Sequence, residues 1–485
     1  MLNIKLIYKA LGTLLFIEAM MMIVCSGLSL YMGEDDTLAF IISTILTILG
    51  GIGLKYLGRD ASNTLGRRDA YLLVTFTWVI FSLFGSFPFL ISGYITNFTD
   101  AYFETMSGFT TTGSSIIDDV EKLPHGMLFW RSMTQWVGAL GIVFFTIAII
   151  PSLVGGNVKV FSAEATGPIR TKMHPRLGTT AKWIWSIYSL LTISCAVCFY
   201  LSGMGLFDCL NYSMTITATG GFSTHNASTG YFHSCAIDYT AIIFMFLSGT
   251  SFTLLYLTIF KWRIKAFLKN TEFRLYILLI VLATIPITYL LVTHNEYSFE
   301  YAFRKSLFQV VSSLTTTGIF NDNVGTWTHI SWVIMGICMF IGGCAGSTSG
   351  GFKCVRLAMV INILRNEIKR TLHPKAILPV KINDTIIHYS SQVSLLAFMT
   401  MFMLMCVLGF IIMILSGIDS TNSIIIAISC VSNIGPSLDV AVGPSMSWTM
   451  LPAFVKWILC VLMLMGRLEI ISVLVLVTPS FWKDH

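Results

Sequence analysis

A chain of 485 residues that is 55% hydrophobic and only 11% charged, with a mean hydropathy of +0.77, carries more apolar surface than a soluble fold of its length can bury. That excludes a fold with water as its sole solvent, so lipid must take part. The formal net charge of +6 says less than its distribution, because the charges cluster between long apolar runs.

The first element begins with Lys5 and Lys9 and runs apolar from Leu11 to Leu30. It has the outline of a signal peptide, but its length, Glu18 and the missing small-x-small cleavage site read as a retained helix. A bilayer core about 30 Å thick needs roughly 20 apolar residues as a helix. Runs of that kind lie near 5–31, 37–56, 70–92, 124–150 and 181–203, then near 236–260, 272–293, 329–368 with a glycine-rich interruption, 388–416 and 452–478. Ten spans are therefore expected.

The connecting loops alternate in charge. One set holds Lys55, Arg59, Arg67 and Arg68; Lys159, Arg170, Lys172, Arg176 and Lys182; Lys261, Arg263, Lys265, Lys269 and Arg274; and Arg365, Lys369, Arg370, Lys375 and Lys381. The positive-inside rule makes these cytoplasmic. The other set carries Glu34, Asp35, Asp36, Asp118, Asp119, Glu121, Asp208, Asp238, Asp419 and Asp439 and faces outward. Both termini then lie inside, as an even span count requires. The eleven cysteines are mostly set in apolar runs, where Cys packs as a small hydrophobe. Even the Cys195–Cys198 pair implies packing before a disulfide or a metal.

Each outward loop contains a short amphipathic segment ending in hydroxyl and small residues around a glycine. Aligned on that glycine, the copies end in Thr110-Thr111-Thr112-Gly113, Thr217-Ala218-Thr219-Gly220, Thr315-Thr316-Thr317-Gly318 and Ser432-Asn433-Ile434-Gly435, the last followed by Pro436. A single Thr-Thr-Thr-Gly reads equally well as a helix C-cap, but four copies in register, each between spans and on one side, do not. The expected architecture is all-α and polytopic, with two leading helices over 1–69 and four helix, re-entrant hairpin, helix units over 70–157, 158–261, 262–370 and 371–485. Non-helical backbone at membrane depth is tolerated where it is buried in protein or lines a watery cavity. Four hairpins on one axis meet that condition by offering carbonyls to a cation.

With these residues in hand, nearly the whole chain resembles the Trk/Ktr/HKT superfamily of potassium transporters, and within it the TrkH/TrkG-type membrane subunits of bacteria. The resemblance is carried by the four glycine segments, by Phe129-Trp130-Arg131 through Gln135-Trp136-Val137-Gly138, by Arg365-Asn366-Glu367-Ile368-Lys369-Arg370 through His373-Pro374, and by Gly466-Arg467-Leu468-Glu469 through Pro479-Ser480-Phe481-Trp482. It implies a potassium-selective pore in the bacterial inner membrane, with potassium held by Thr110–Gly113, Ala218–Gly220, Thr316–Gly318 and Asn433–Gly435. It also implies a homodimer and a cytosolic, nucleotide-binding ring of TrkA-type regulatory subunits. No cofactor and no nucleic-acid partner are expected.

The eighth run breaks at residues 342–351, where Gly342, Gly343, Gly346, Gly350 and Gly351 are interleaved with polar residues that do not propagate a helix. In the resembling family the matching loop occludes the pore; a small-residue packing face is the bland alternative. Arg467 lies inside the last run, where a charge is expensive. The family places it under the filter beside that loop, and the alternative is a backbone carbonyl or Glu469 as its partner, though residues two apart do not share a helix face. Lys353 and Arg356 read as snorkelling anchors. Glu104, Asp118 and Asp119 could gather cations at the outer mouth. A proton- or sodium-coupled symporter is the rival function. An intramembrane enzyme is disfavoured by the lack of HExxH, GxSxG or paired intramembrane aspartates.

Overall fold

The computed structural model describes residues 2–62, 66–139, 141, 177–262, 264–376, 378–383, 385–435 and 448–483. Two leading helices, α1 (Ile4–Met32) and α2 (Thr37–Leu57), pack along each other. Next come α3 (Arg67–Gly85), α4 (Phe87–Ser92), α5 (Phe98–Phe109) and α6 (His125–Ala139). They are followed by α7 (Leu177–Leu201), α8 (Leu206–Thr217), α9 (Cys235–Ser248), α10 (Phe252–Ile259) and α11 (Ile264–Lys269). A third group is α12 (Thr271–His294), α13 (Phe299–Leu314), α14 (His329–Ile341) and α15 (Cys354–Leu372). The last is α16 (Tyr389–Leu415), α17 (Ser420–Ser432), α18 (Ala453–Arg467), α19 (Ile471–Val477) and α20 (Pro479–Trp482). Among the described residues the only sheet is a small antiparallel ladder pairing Lys381 with Ile386 and Ile382 with Thr385.

By length and composition, six stretches among the described residues are long and apolar enough to cross a membrane: α1, α2, α3 continued by α4, α7, α12 and α16. Two expected spans are sharply bent. The run near 236–260 breaks between α9 and α10 at 102°, and the run near 452–478 breaks between α18 and α19 at 119°. The 329–368 run splits into α14 and α15 around the glycine-rich segment, as its composition predicts. The 124–150 run is described as helix to Ala139, and its remainder lies outside the described residues, as do Pro436, Asp439 and the basic residues from Lys159 to Arg176.

Polarity is arranged inside out. On α2 the large apolar residues Leu38, Ile41, Ile45, Leu49 and Ile52 are exposed at helical spacing, while Phe40, Ser43, Thr44 and Thr47 on the opposite face are buried. That is the pattern of a helix whose outer stripe meets lipid. The short, more polar helices sit within: every residue of α5 from Ala101 to Phe109 is buried, Glu104, Thr105 and Ser107 included. Long apolar helices thus enclose a polar centre.

Candidate functional site

Four short helices, α5, α8, α13 and α17, hold 12, 12, 16 and 13 residues. At 1.5 Å per residue they reach only about 18–24 Å, short of a bilayer core. Two start with a side-chain cap, Asn97 accepting Thr99 N–H and Asp419 accepting Thr421 N–H, and the other two carry an acid in the first turn, Asp208 on α8 and Glu300 on α13.

All four end alike. Thr111, Thr219, Thr316 and Asn433 turn to φ of +54°, +52°, +56° and +55°, and two residues later Gly113, Gly221, Gly318 and Gly435 take +83°, +83°, +78° and +99°. Between them, the N–H groups of Thr112, Gly220, Thr317 and Ile434 donate back to the carbonyls of Ser107, Thr215, Ser312 and Ser429 at 2.8–2.9 Å. The second copy is therefore offset by one residue from its alignment on Gly220. Gly220 stands where Thr112 and Thr317 stand, Ala218 where Thr110 and Thr315 stand, and Gly221 is the counterpart of Gly113. Sequence reasoning missed Gly221 because the Gly-Gly doublet offers two registers, and the hydrogen bond from Gly220 N–H to the Thr215 carbonyl, with the left-handed φ of Thr219 and Gly221, chooses between them.

The four ends meet. A Cβ on Gly113 would lie 2.1 Å from the Gly220 carbonyl oxygen, one on Gly221 2.3 Å from that of Thr317, and one on Gly435 2.2 Å from that of Thr112. These contacts run from the first segment to the second, the second to the third, and the fourth to the first, three successive junctions of a ring. Ser114 Oγ also donates to the Gly435 carbonyl at 3.1 Å, and Asn433 Nδ2 to Thr112 Oγ1 at 2.9 Å. Thr110 and Thr112 pair their hydroxyls at 2.8 Å, as Thr315 and Thr317 do at 2.7 Å.

Against this ring lies the segment between α14 and α15. Its neck is zipped by Phe352 N–H to Phe340 O at 3.1 Å and Cys354 N–H to Gly343 O at 2.9 Å. Its tip reaches three of the four units: Thr348 Oγ1 donates to the carbonyls of Thr217 and Ser248, Gly350 N–H to Thr316 Oγ1 at 2.6 Å, and Gly351 N–H to Ser432 O at 3.0 Å. Arg467 supplies the fourth. Its guanidinium donates to Thr348 O at 3.2 Å and to the carbonyls of Gly138 and Ala139 at the end of α6. Gly346 accepts Phe252 N–H at 2.9 Å, holding the segment to α10.

Two side chains differ from their expected settings, and a third enters that the sequence did not single out. Lys353 is buried and donates to Ser349 O, so it does not snorkel. Arg356, also buried, pairs with Glu469 at 2.7 Å and stacks 4.0 Å over Phe398, which gives Glu469 a partner other than Arg467. Glu272, unremarked in the sequence because it reads as an ordinary first-turn acid, is buried and accepts the N–H of Ala345 at 2.6 Å and of Val355 at 3.1 Å. It fastens both limbs of the interrupting segment.

The outer acids are engaged. Glu104 is 1% exposed and paired with Arg131, so it is no part of a solvated attracting surface. Asp118 accepts from Thr449, and Asp119 from Asn226. His225 lies between Asp208 at 3.5 Å and Glu121 at 3.4 Å, with the Tyr231 ring stacked at 3.7 Å and Phe232 edge-on. Burial opposes its protonation, but the Asp208 hydrogen bond and the two carboxylate charges outweigh burial and hold the imidazole above its ordinary pKa. A raised folded pKa contributes stability below the unfolded value of about 6.5 and loses it as pH rises through the folded one. Hydrogen exchange across residues 224–232, corrected for intrinsic rates, is therefore expected to quicken as pH rises above about 6.5 and through the folded pKa, and His225→Gln is expected to remove that dependence.

Inward polar helices ending on a ring, wrapped by helices with apolar outer faces, define a multi-pass α-helical membrane protein. A family model described as TrkH, cation transport protein, matches residues 37–483. The chain is 34% identical over 483 residues to the Trk system potassium uptake protein TrkH of Halomonas elongata, covering 99% of this chain and 100% of that protein. It is 33% identical over 485 residues to the TrkH of Escherichia coli strain K12, with the same coverage, and 32% identical to the TrkG of that strain, covering 99% of each. Its structure matches the crystal structure of the potassium transporter TrkH from Vibrio parahaemolyticus with a TM-score of 0.89, at 33% identity and 99% coverage of both chains. The chain belongs to the TrkH family, a family of transport proteins rather than enzymes.

Proposed function

We propose that the chain takes up potassium across the bacterial inner membrane, through a selective filter formed by the ring and closed from below by the 342–351 segment with Arg467. The observation that carries this reading is the fourfold backbone pattern, a left-handed residue and then a left-handed glycine two positions on, at the meeting ends of four short helices. A desolvated cation needs several oxygens that bind well enough to replace water yet release the ion again. Backbone carbonyls at Thr110–Thr112, Ala218–Gly220, Thr316, Thr317, Asn433 and Ile434 would supply them. The register argues for adding Gly221 to this set beside Gly113, Gly318 and Gly435. The repeats would run over 70–157, 158–261, 262–370 and 371–485, with both termini cytoplasmic. Relatives that share the full length are named as parts of a Trk system, which supports a partner subunit here; a cytosolic TrkA-type regulatory ring and a homodimer are the further parts of this proposal.

Proton- or sodium-coupled uptake is the second reading. It draws on Glu18, which is fully buried in α1 with neither carboxylate oxygen hydrogen-bonded among the described residues. Glu18 packs near Gly85, beside Phe109 and Trp130. One experiment addresses both readings: the purified chain in liposomes, with K⁺, Rb⁺ and Na⁺ flux measured under an imposed voltage and no pH or sodium gradient. Selective K⁺ and Rb⁺ flux is expected. Flux that needs a proton or sodium gradient would favour the carrier, and no electrogenic flux would refute the pore.

A further inference from the structure

Behind the ring, on the side of its first two segments, lies a buried ion pair that the filter reading does not use. Glu104 is on α5 and Arg131 on α6; their side chains are 1% and 2% exposed and meet at 2.8 Å through Arg131 Nε. The pair does more than neutralise itself. The Glu104 carboxylate accepts Ser115 Oγ at 3.0 Å and the Ile116 N–H at 2.9 Å, both in the strand that leaves the first segment just after Gly113. The Arg131 guanidinium donates to Ser115 Oγ at 3.1 Å and to the Ser223 carbonyl at 3.1 Å, and it stacks 4.1 Å over the Phe222 ring. Ser223 and Phe222 belong to the strand that leaves the second segment just after Gly221.

One turn further along the same face of α6, Gln135 grips the second segment directly. Its Nε2 donates to the Gly220 carbonyl at 2.7 Å, and its Oε1 accepts the Phe222 N–H at 3.1 Å. Trp448 N–H, from the fourth unit, donates to the Ser115 carbonyl at 2.9 Å. The residues just outside the ring in its first, second and fourth units are thus tied to one hub, whose centre is a fixed pair of charges.

We infer that Glu104 and Arg131 are a positioning pair for ion selection: by pinning Ser115, Ile116, Phe222 and Ser223, they fix the spacing of the first two filter segments and so set how strictly K⁺ is preferred to Na⁺. This inference rests on the filter reading above. A ring of carbonyls discriminates ions by the number and spacing of its oxygens, and the Gly113 to Gly220 contact leaves no slack at that junction. Neither residue touches the ion, so their effect runs through the backbone they hold. Losing one member leaves the other charge buried and unpaired, the most disruptive way to break such a pair. Lysine in place of Arg131 keeps the charge but loses the planar fork that reaches Glu104, Ser115 and Ser223 together.

The test is the Na⁺ to K⁺ permeability ratio in liposomes for the unaltered chain, Glu104→Gln, Arg131→Lys and the double neutral variant Glu104→Leu with Arg131→Met. Retained flux with the ratio raised roughly tenfold in Glu104→Gln, less in Arg131→Lys, is expected, a tenfold change being about what 1.4 kcal/mol produces. If the charge-unbalanced single variant fails to fold, the double variant, which buries no unpaired charge, decides: a raised ratio supports the pair and an unaltered ratio overturns it. Folded variants with lower melting temperatures but the parent's ratio would mark a purely structural pair and overturn the inference alone. Unselective flux in the unaltered chain would overturn the filter reading and this inference with it.

Discussion

Arg467→Ala is expected to raise resting K⁺ flux in liposomes by about tenfold or more, because hydrogen bonds from a charged donor are worth roughly 1.5–3 kcal/mol each. Arg467 is the link through which the interrupting segment, at Thr348, reaches the first unit, at Gly138 and Ala139. Alanine removes that link, and on the proposed reading it also takes a cation out of the path beneath the ring, so both effects would lower the closed-state barrier. Deleting Thr348 is expected to act in the same direction, since its hydroxyl holds the segment to Thr217 and Ser248. Unchanged or reduced flux in both variants at normal expression would dismiss the gating role.

The second large effect is expected from the glycines of the ring. A serine at Gly113 would place its Cβ 2.1 Å from the Gly220 carbonyl oxygen, and one at Gly221 would place it 2.3 Å from that of Thr317. Both obstacles are backbone, which cannot swing aside, and both positions hold a left-handed φ that costs an L-residue about 1–2 kcal/mol. Gly113→Ser and Gly221→Ser should therefore force the ring apart at two successive junctions and lower K⁺ over Na⁺ discrimination by at least about tenfold. Gly318→Ser belongs to the same series, with φ of +78°. Gly27→Ser, on an open face of α1 with nothing within 4 Å, is the neutral control. Flux and discrimination indifferent to all three ring substitutions would reduce the repeats to packing motifs.

What the sequence reveals and what it hides divide along physical lines. The long outer helices are legible because lipid imposes a length and an apolar stripe, as Leu38 to Ile52 on α2 show. The short inner helices are legible because each opens on a capping amide or acid or a first-turn acid and ends on hydroxyls and glycine. The interruption at 342–351 follows from composition alone. The bend after Ser248 is less so, although Gly249-Thr250-Ser251 stands there, because a local glycine says nothing of the 102° turn that packing imposes. The one-residue offset at Gly221 is invisible for the same reason. Glu272 resembles any first-turn acid until the fold brings Ala345 and Val355, more than 70 positions away, onto its carboxylate. Glu104 resembles a surface acid until Arg131 closes over it.

The ring is drawn from one polypeptide, and its four quarters are chemically unlike: at the position between the two left-handed residues stand Thr112, Gly220, Thr317 and Ile434. In an assembly of four identical chains a single codon change alters every quarter at once. Here it alters one. If the ring selects ions as proposed, its preference would be open to adjustment in small steps, quarter by quarter, and Asn433-Ile434-Gly435 is the quarter that departs most from the threonine or glycine pattern.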